Sequence, residues 1–233
     1  MTIRTTARAR ILTAAVGVAA ASALVATTPS AGSSAASPAQ PAGSTNSSAT
    51  TQGYTPGSRD DALNAQLRKQ LDAALKQQQG KGTNALATTI VTYDASQAPS
   101  FASEISQAAS IWNSSVSNVR LQPGSPANLT YYEGSDPSGS YYSGDGHGNG
   151  YILIDYDQAT QYDPLRIVAH ETGHDLGLPD HYSGPCSELM SGGGPGPSCT
   201  NPYPNGTESS QVDALWANGF SAAFGKAAFG SVK

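Results

Sequence analysis

The sequence predicts an α+β fold, and three observations carry that prediction. Two β-branched runs, Thr89-Ile90-Val91-Thr92-Tyr93 and Tyr151-Ile152-Leu153-Ile154-Asp155-Tyr156, read as strands. Between them, Phe101, Ile105, Ala108, Ala109 and Trp112 recur at helical spacing over residues 99–116. A third stretch, running from His170 through Glu171 and His174 to Asp180, follows H-E-x-x-H-x-x-G-x-x-D. Its two histidines share a face only if the backbone there is helical.

From the N-terminus, Arg4, Arg8 and Arg10 precede an apolar, Ala-rich run over residues 11–26, and small residues follow. That pattern is a secretory signal peptide, assigned to residues 1–30, with cleavage expected between residues 26 and 36. The run is about 16 residues, short of the ~20 that a spanning helix needs. No later segment is apolar enough to cross a bilayer. Residues 27–58 are Ala, Ser, Thr, Pro and Gly with almost no large apolar side chain, a composition expected to stay disordered.

Leu63, Leu67, Leu71 and Leu75 then form one stripe, with Asp60 and Asp61 at its start and Lys76 near its end. This predicts a helix over residues 60–79. The Gly80-Lys81-Gly82 linker after it argues that residues 31–87 are a separable pro-segment, the alternative being one more helix of the folded unit. The segment has no Cys, so a thiolate cannot block a metal. Inhibition by it would have to come from covering a cleft, with carboxylates at hand.

The folded unit is expected over residues 88–219. Val119-Arg120-Leu121 and residues 128–133 read as further strands. A helix should run from Asp163 and Pro164 to Leu176, because Asp163 is a good N-cap and Pro164 suits the first helical position. A last helix over residues 208–216 should turn Val212, Leu215 and Trp216 inward. Residues 220–233 form a tail without an assignable role.

The net charge is −5 and only 12% of residues are charged. Such a chain has no basic stripe for nucleic acid and no polybasic patch for a lipid surface. Cys186 and Cys199 are the only cysteines, and in a secreted chain they are expected to pair. The loop they would close is worth about 3 kcal/mol in the chain-entropy model. Thiol ligation of a metal is the alternative.

The H-E-x-x-H stretch carries the chemistry. His170 and His174 can aim at one point, while Glu171 lies beside the first of them, placed to address water rather than the metal. Gly177 lets the chain leave the helix sharply and return Asp180 as third ligand. Two nitrogens, one carboxylate oxygen and an open fourth position describe a catalytic zinc site. Alternatives are a structural zinc site and a solvated surface helix. His181 competes with Asp180, but one residue of shift along a tight turn would point it away. His147, in the Gly-rich run of residues 143–150, reads as a loop histidine. Tyr182 could donate to an oxyanion, shape a specificity pocket, or simply pack.

From His170 to Tyr203 the chain reads HETGHDLGLPDHYSGPCSELMSGGGPGPSCTNPYPN, followed by LWANG. Together with SIWNSSVSNVRL and YYEG…DGHGNGYI upstream, these residues closely resemble the snapalysins, small secreted neutral proteases of the metzincin clan. The likeness covers nearly all of residues 88–219. It implies a small twisted mixed β-sheet packed against an active-site helix and a second helix, with a C-terminal helix. It also implies Asp180 as third zinc ligand and Met190 in a turn beneath the metal, which the Cys186–Cys199 bridge would hold in place. A calcium ion would sit at Asp163, with Leu165 offering only its backbone carbonyl. The YILIDY strand would be the edge that pairs with extended substrate. Further implications are a monomer, extracellular protein or peptide substrates cut before an aromatic residue, and a proteinaceous inhibitor. On this reading Glu171 takes a proton from zinc-activated water and delivers it to the leaving amine. Competing readings are a zinc amidase acting on cell-wall peptides and a non-catalytic module using the metal as scaffold.

Overall fold

Five strands form a single sheet in a computed structural model that describes residues 58–80 and 87–219. The signal peptide expected over residues 1–30, the linker expected after it and the tail over residues 220–233 lie outside the described residues. The strands are β1 (Thr89–Gln97), β2 (Val119–Pro123), β3 (Leu129–Gly134), β4 (Tyr141–Gly144) and β5 (Gly150–Asp155). Their spatial order is β2-β1-β3-β5-β4. β1 runs parallel to β2 and β3, β3 runs parallel to β5, and β4 alone pairs antiparallel. The helices are α1 (Ser58–Gly80), α2 (Ala102–Ser115), α3 (Tyr156–Gln161), α4 (Pro164–Asp175) and α5 (Gly206–Trp216). This is the mixed sheet with an active-site helix, a second helix and a C-terminal helix expected from the sequence. No helix among the described residues is long and apolar enough to cross a membrane.

The core follows from side-chain alternation. Val91 and Tyr93 of β1, Leu129 and Tyr131 of β3, and Ile152 and Ile154 of β5 are all buried. The helices cover that layer. In α2, Ile105, Ala108, Ala109 and Trp112 turn inward as their spacing requires, after a 3₁₀ turn at Pro99–Phe101. Trp112 then donates from Nε1 to the carbonyl of Ala169, 2.9 Å away, so a fully buried indole loses no hydrogen bond and α2 is fastened to α4.

Two elements depart from the sequence reading. YILIDY is not the edge: β5 lies between β3 and β4, pairing with both. The edge on that side of the sheet is β4, four residues long, whose strand character comes from its ladder with β5. The run also ends at Asp155, whose carboxylate accepts the backbone N–H of Gln158 and caps α3. Tyr156 therefore begins a helix instead of ending a strand.

The remaining elements close the fold. In α5, Asn205 and Glu208 form a reciprocal capping box, and Val212, Leu215 and Trp216 are buried. Cys186 and Cys199 are joined in a disulfide across a separation of 13 residues. Replacing both with Ser is expected to cost about 3 kcal/mol of unfolding free energy in urea titration. A loss below about 0.5 kcal/mol would mean that the loop is already ordered by its other contacts.

Candidate active site

Helix α4 starts where the N-terminal hydrogen-bond deficit is met: Asp163 accepts the N–H of Arg166 at 2.8 Å, and Pro164 occupies the first turn. Three neighbours hold the helix. Besides Trp112, Tyr131 of β3 shares a buried 2.9 Å hydrogen bond with Thr172, and Trp216 of α5 donates to the carbonyl of Leu176 at 3.0 Å. At its C-terminal end Gly177 takes φ +102°, and a Cβ there would meet the Gly146 carbonyl at 2.9 Å. Only glycine suits that turn. The chain then reverses and brings Asp180 back to the helix.

Three donors converge as a result. His170 Nε2 lies 3.1 Å and His174 Nε2 3.3 Å from Asp180 Oδ1. One ligand atom from each residue lies within 4.8 Å of the others, and all three residues are buried. The ring orientations are set from behind. His170 Nδ1 donates to the Leu189 carbonyl at 3.0 Å and His174 Nδ1 to the Leu178 carbonyl at 2.7 Å. A carbonyl only accepts, so each neutral ring keeps its proton on Nδ1 and turns the Nε2 lone pair toward the common centre.

Electrostatics point the same way. Burial alone would raise Asp180, but the two imidazoles hold its carboxyl well below the usual carboxylate range. Burial lowers His174, yet the Asp180 carboxylate outweighs this and lifts it to about 9. The centre is thus a buried field that favours positive charge, with two imidazole nitrogens and one carboxylate oxygen as donors. Asp180 Oδ1 has no hydrogen-bond donor of its own. This set fits a zinc ion. Glu171 is buried beside it, and desolvation raises its carboxyl above the ordinary value, partly offset by His170 and His174.

The family model for the Streptomyces extracellular neutral proteinase (M7) family matches residues 87–219. The chain belongs to that family. It is 55% identical to the extracellular small neutral protease of Streptomyces lividans over 223 residues, which are 93% of this chain and 94% of the relative. It is 69% identical to the namesake protein of Streptomyces caespitosus over 132 residues, which are 57% of this chain and the whole of the relative. As a member of the M7 family the protein is a secreted metalloendopeptidase, as the resemblance implied.

Within this M7 enzyme the other expected residues fall as follows. Tyr182 lines the cleft beside Gly192, together with His170, Glu171 and His174. Met190 is buried under α4, and a Cβ on Gly173 would lie 2.6 Å from its sulfur. His181 turns outward to Glu188, at 2.5 Å. His147 stacks on Trp216 with ring centroids 4.1 Å apart, and its Nε2 lies 3.0 Å from the Gly219 carbonyl. Both are apart from the three converging donors. Asp163 serves as a helix cap and Leu165 packs partly buried against the core.

Sequence reasoning passed over two buried charged residues. Arg166 donates from Nε and Nη2 to the Gly192 carbonyl, from Nη1 to that of Asn201, and from Nη2 to that of Glu188 and to Ser191 Oγ. Glu208, from α5, accepts the N–H groups of Leu189 at 3.1 Å and Met190 at 2.8 Å. Between them they fix the backbone of the turn carrying Met190, and through the Leu189 carbonyl the ring of His170. Their signals lay in the text of the chain. Arg166 is four residues before His170 on one helix face, and Asn205-x-x-Glu208 has capping-box spacing.

Asp175 is a further buried acid at the end of α4, and neither of its carboxyl oxygens meets a donor in hydrogen-bond geometry. Burial and the nearby Asp145 carboxylate push it up to about 8, despite the Tyr142 hydroxyl. The unfolded chain, with an ordinary carboxyl near 3.9, releases this proton first as pH rises. Its contribution therefore favours the fold below about pH 4 and is lost progressively up to about pH 8. Asp175→Asn is expected to remove that slope, so the variant should gain stability relative to the parent as pH rises from about 5 to about 7. Parallel urea profiles at the two pH values would rule this out.

Proposed function

We propose that the enzyme is a zinc endopeptidase whose catalytic unit is residues 88–219, with His170, His174 and Asp180 holding the metal and Glu171 acting as general base and then general acid. The observation that carries this is the convergence of two imidazole Nε2 atoms and one carboxylate oxygen beside a buried glutamate that is not among the three. A relative that is matched over its whole length by 132 residues supports the boundaries of the catalytic unit, and with them a removable pro-segment over residues 31–87.

A zinc ion held by His170, His174 and Asp180 would supply Lewis acidity for ionising water near neutrality and for polarising the scissile carbonyl. The chain supplies the rest. Glu171 accepts the proton of the attacking water and passes it to the leaving amine nitrogen, and its burial helps the carboxyl hold that proton between the two steps. The Tyr182 phenol, at the cleft wall, donates to the carbonyl oxygen as negative charge builds there. β4, whose outer side pairs with no strand among the described residues, offers its main chain to an extended substrate, in place of the β5 strand expected from sequence. Tyr141, Tyr162 and Ile167 line the same cleft and offer apolar and aromatic surface, which supports preference for an aromatic residue on the amine side of the cut bond.

Metal analysis with casein digestion, before and after a strong chelator, tests this reading. One zinc per chain, activity lost on chelation and regained with zinc are expected. Casein cleavage that survives complete zinc removal would overturn it. A calcium-selective chelator that spares zinc is expected to leave the melting temperature unchanged, because the Asp163 carboxylate is already engaged as a cap. A fall of several degrees would instead support the calcium at Asp163 and the Leu165 carbonyl.

A further inference from the structure

Helix α1 lies on the active site. Its residues 60, 63, 64, 67, 68, 71 and 74 recur every three or four positions and so form one face. That face meets the catalytic unit through both polar and apolar contacts. Asn64 straddles the third donor: its Nδ2 donates to Asp180 Oδ2 at 2.7 Å, and the Asp180 N–H donates to Asn64 Oδ1 at 2.7 Å. One turn on, Arg68 Nη2 donates to the Asp180 carbonyl at 2.5 Å. Gln66 and Gln70 both donate to the Asp145 carbonyl, at 3.2 and 3.1 Å.

Leucine packing seats the helix. Leu67 is fully buried against the Gly146 loop, so closely that a Cβ on Gly146 would lie 2.2 Å from Leu67 Cδ2. Leu71 and Ala74 are buried as well, and α1 runs against α5. At its N-terminal end, Asp60 and Leu63 line the cleft with His170, Glu171 and His174. A substrate chain laid along β4 toward Glu171 would have to pass through the space these two side chains occupy.

We propose that the groove between the Gly146 loop, the Asp180 loop and α5 is a helix-docking site whose occupant is residues 58–80 of this same chain, and that the docked helix keeps the precursor latent by closing the cleft and gripping Asp180 through Asn64 and Arg68. This rests on the site reading above. It requires no cysteine and no covalent step. The carboxamide of Asn64 binds the one oxygen of Asp180 that is turned away from the two imidazoles, so the helix docks on the metal-binding loop without displacing its donors. Removing the helix opens the cleft and leaves the three donors in place.

The test uses the secreted full-length precursor. Hydrogen exchange is followed in a Glu171→Gln background, which prevents self-cleavage, and hydrolysis of a fluorogenic peptide is followed in the parent background. Amides of residues 64–75 and that of Asp180 are expected to be protected, and Asn64→Ala and Leu67→Asp to strip that protection with zinc content unchanged. In the parent background each variant should raise precursor activity at least about tenfold toward that of the processed enzyme. A synthetic peptide of residues 58–80 should compete with substrate on the processed enzyme, and its Asn64→Ala form should bind about tenfold more weakly. Unprotected α1 amides, or a precursor as active as the processed enzyme, would overturn the docking inference while leaving the protease reading intact. A processed enzyme that is inactive with zinc bound would sink the protease reading itself, and the latency with it.

Discussion

Glu171→Gln is expected to fold and retain zinc like the parent enzyme and to digest casein on the order of 10³-fold more slowly. The substitution keeps shape and volume and removes one property, the ability to accept a proton. Glu171 is not one of the three converging donors, so the metal affinity we propose for His170, His174 and Asp180 should survive. It is buried beside them with its carboxyl raised by desolvation, a setting that suits a group that must take a proton and give it back. Zinc content by elemental analysis and kcat on a peptide substrate make the comparison. A variant within tenfold of parental kcat would show that the base lies elsewhere, with Tyr182 the next residue to examine.

Arg166→Ala is expected to lower the unfolding free energy by about 3–5 kcal/mol. Arg166 is 4% exposed, and its guanidinium satisfies the carbonyls of Glu188, Gly192 and Asn201 at once. Removing it strands those acceptors in a low-dielectric interior. Arg166→Lys should recover little, because a single ammonium cannot span acceptors arranged for a planar fork. Urea unfolding of the three proteins decides the matter. A loss under about 1 kcal/mol for Arg166→Ala would mean that water replaces the guanidinium at no great cost.

The parts legible in the sequence are those written in local periodicity. Helix α4 announces itself through Asp163, Pro164 and the four-residue spacing of its histidines, and Gly177 marks its end. Helix α2 follows from Phe101, Ile105 and Trp112, and α1 from its leucines. What was not legible depends on partners far along the chain. Tyr141–Gly144 is too short and too rich in Ser and Gly to read as a strand, and becomes one by pairing with β5. The interior position of β5 is a property of topology, which no local pattern encodes. Tyr156 looked like strand because tyrosine favours strands, but the Asp155 cap overrides that preference. The spacing of Arg166 and Glu208 marks both residues without naming their partners, and Asn64 and Arg68 act across separations of more than a hundred residues that no local pattern encodes.

The Glu208 carboxylate on Leu189 and Met190 also sets an order of assembly. Translation delivers the histidines and Asp180 first, and the groups that brace the loop beneath them later, on α5. A nascent chain still threaded through the export machinery with α5 unfinished has the donors but no brace for them. A chain cut before Asn205 would therefore keep His170, His174 and Asp180 but lack the carboxylate that fixes the backbone behind the His170 ring.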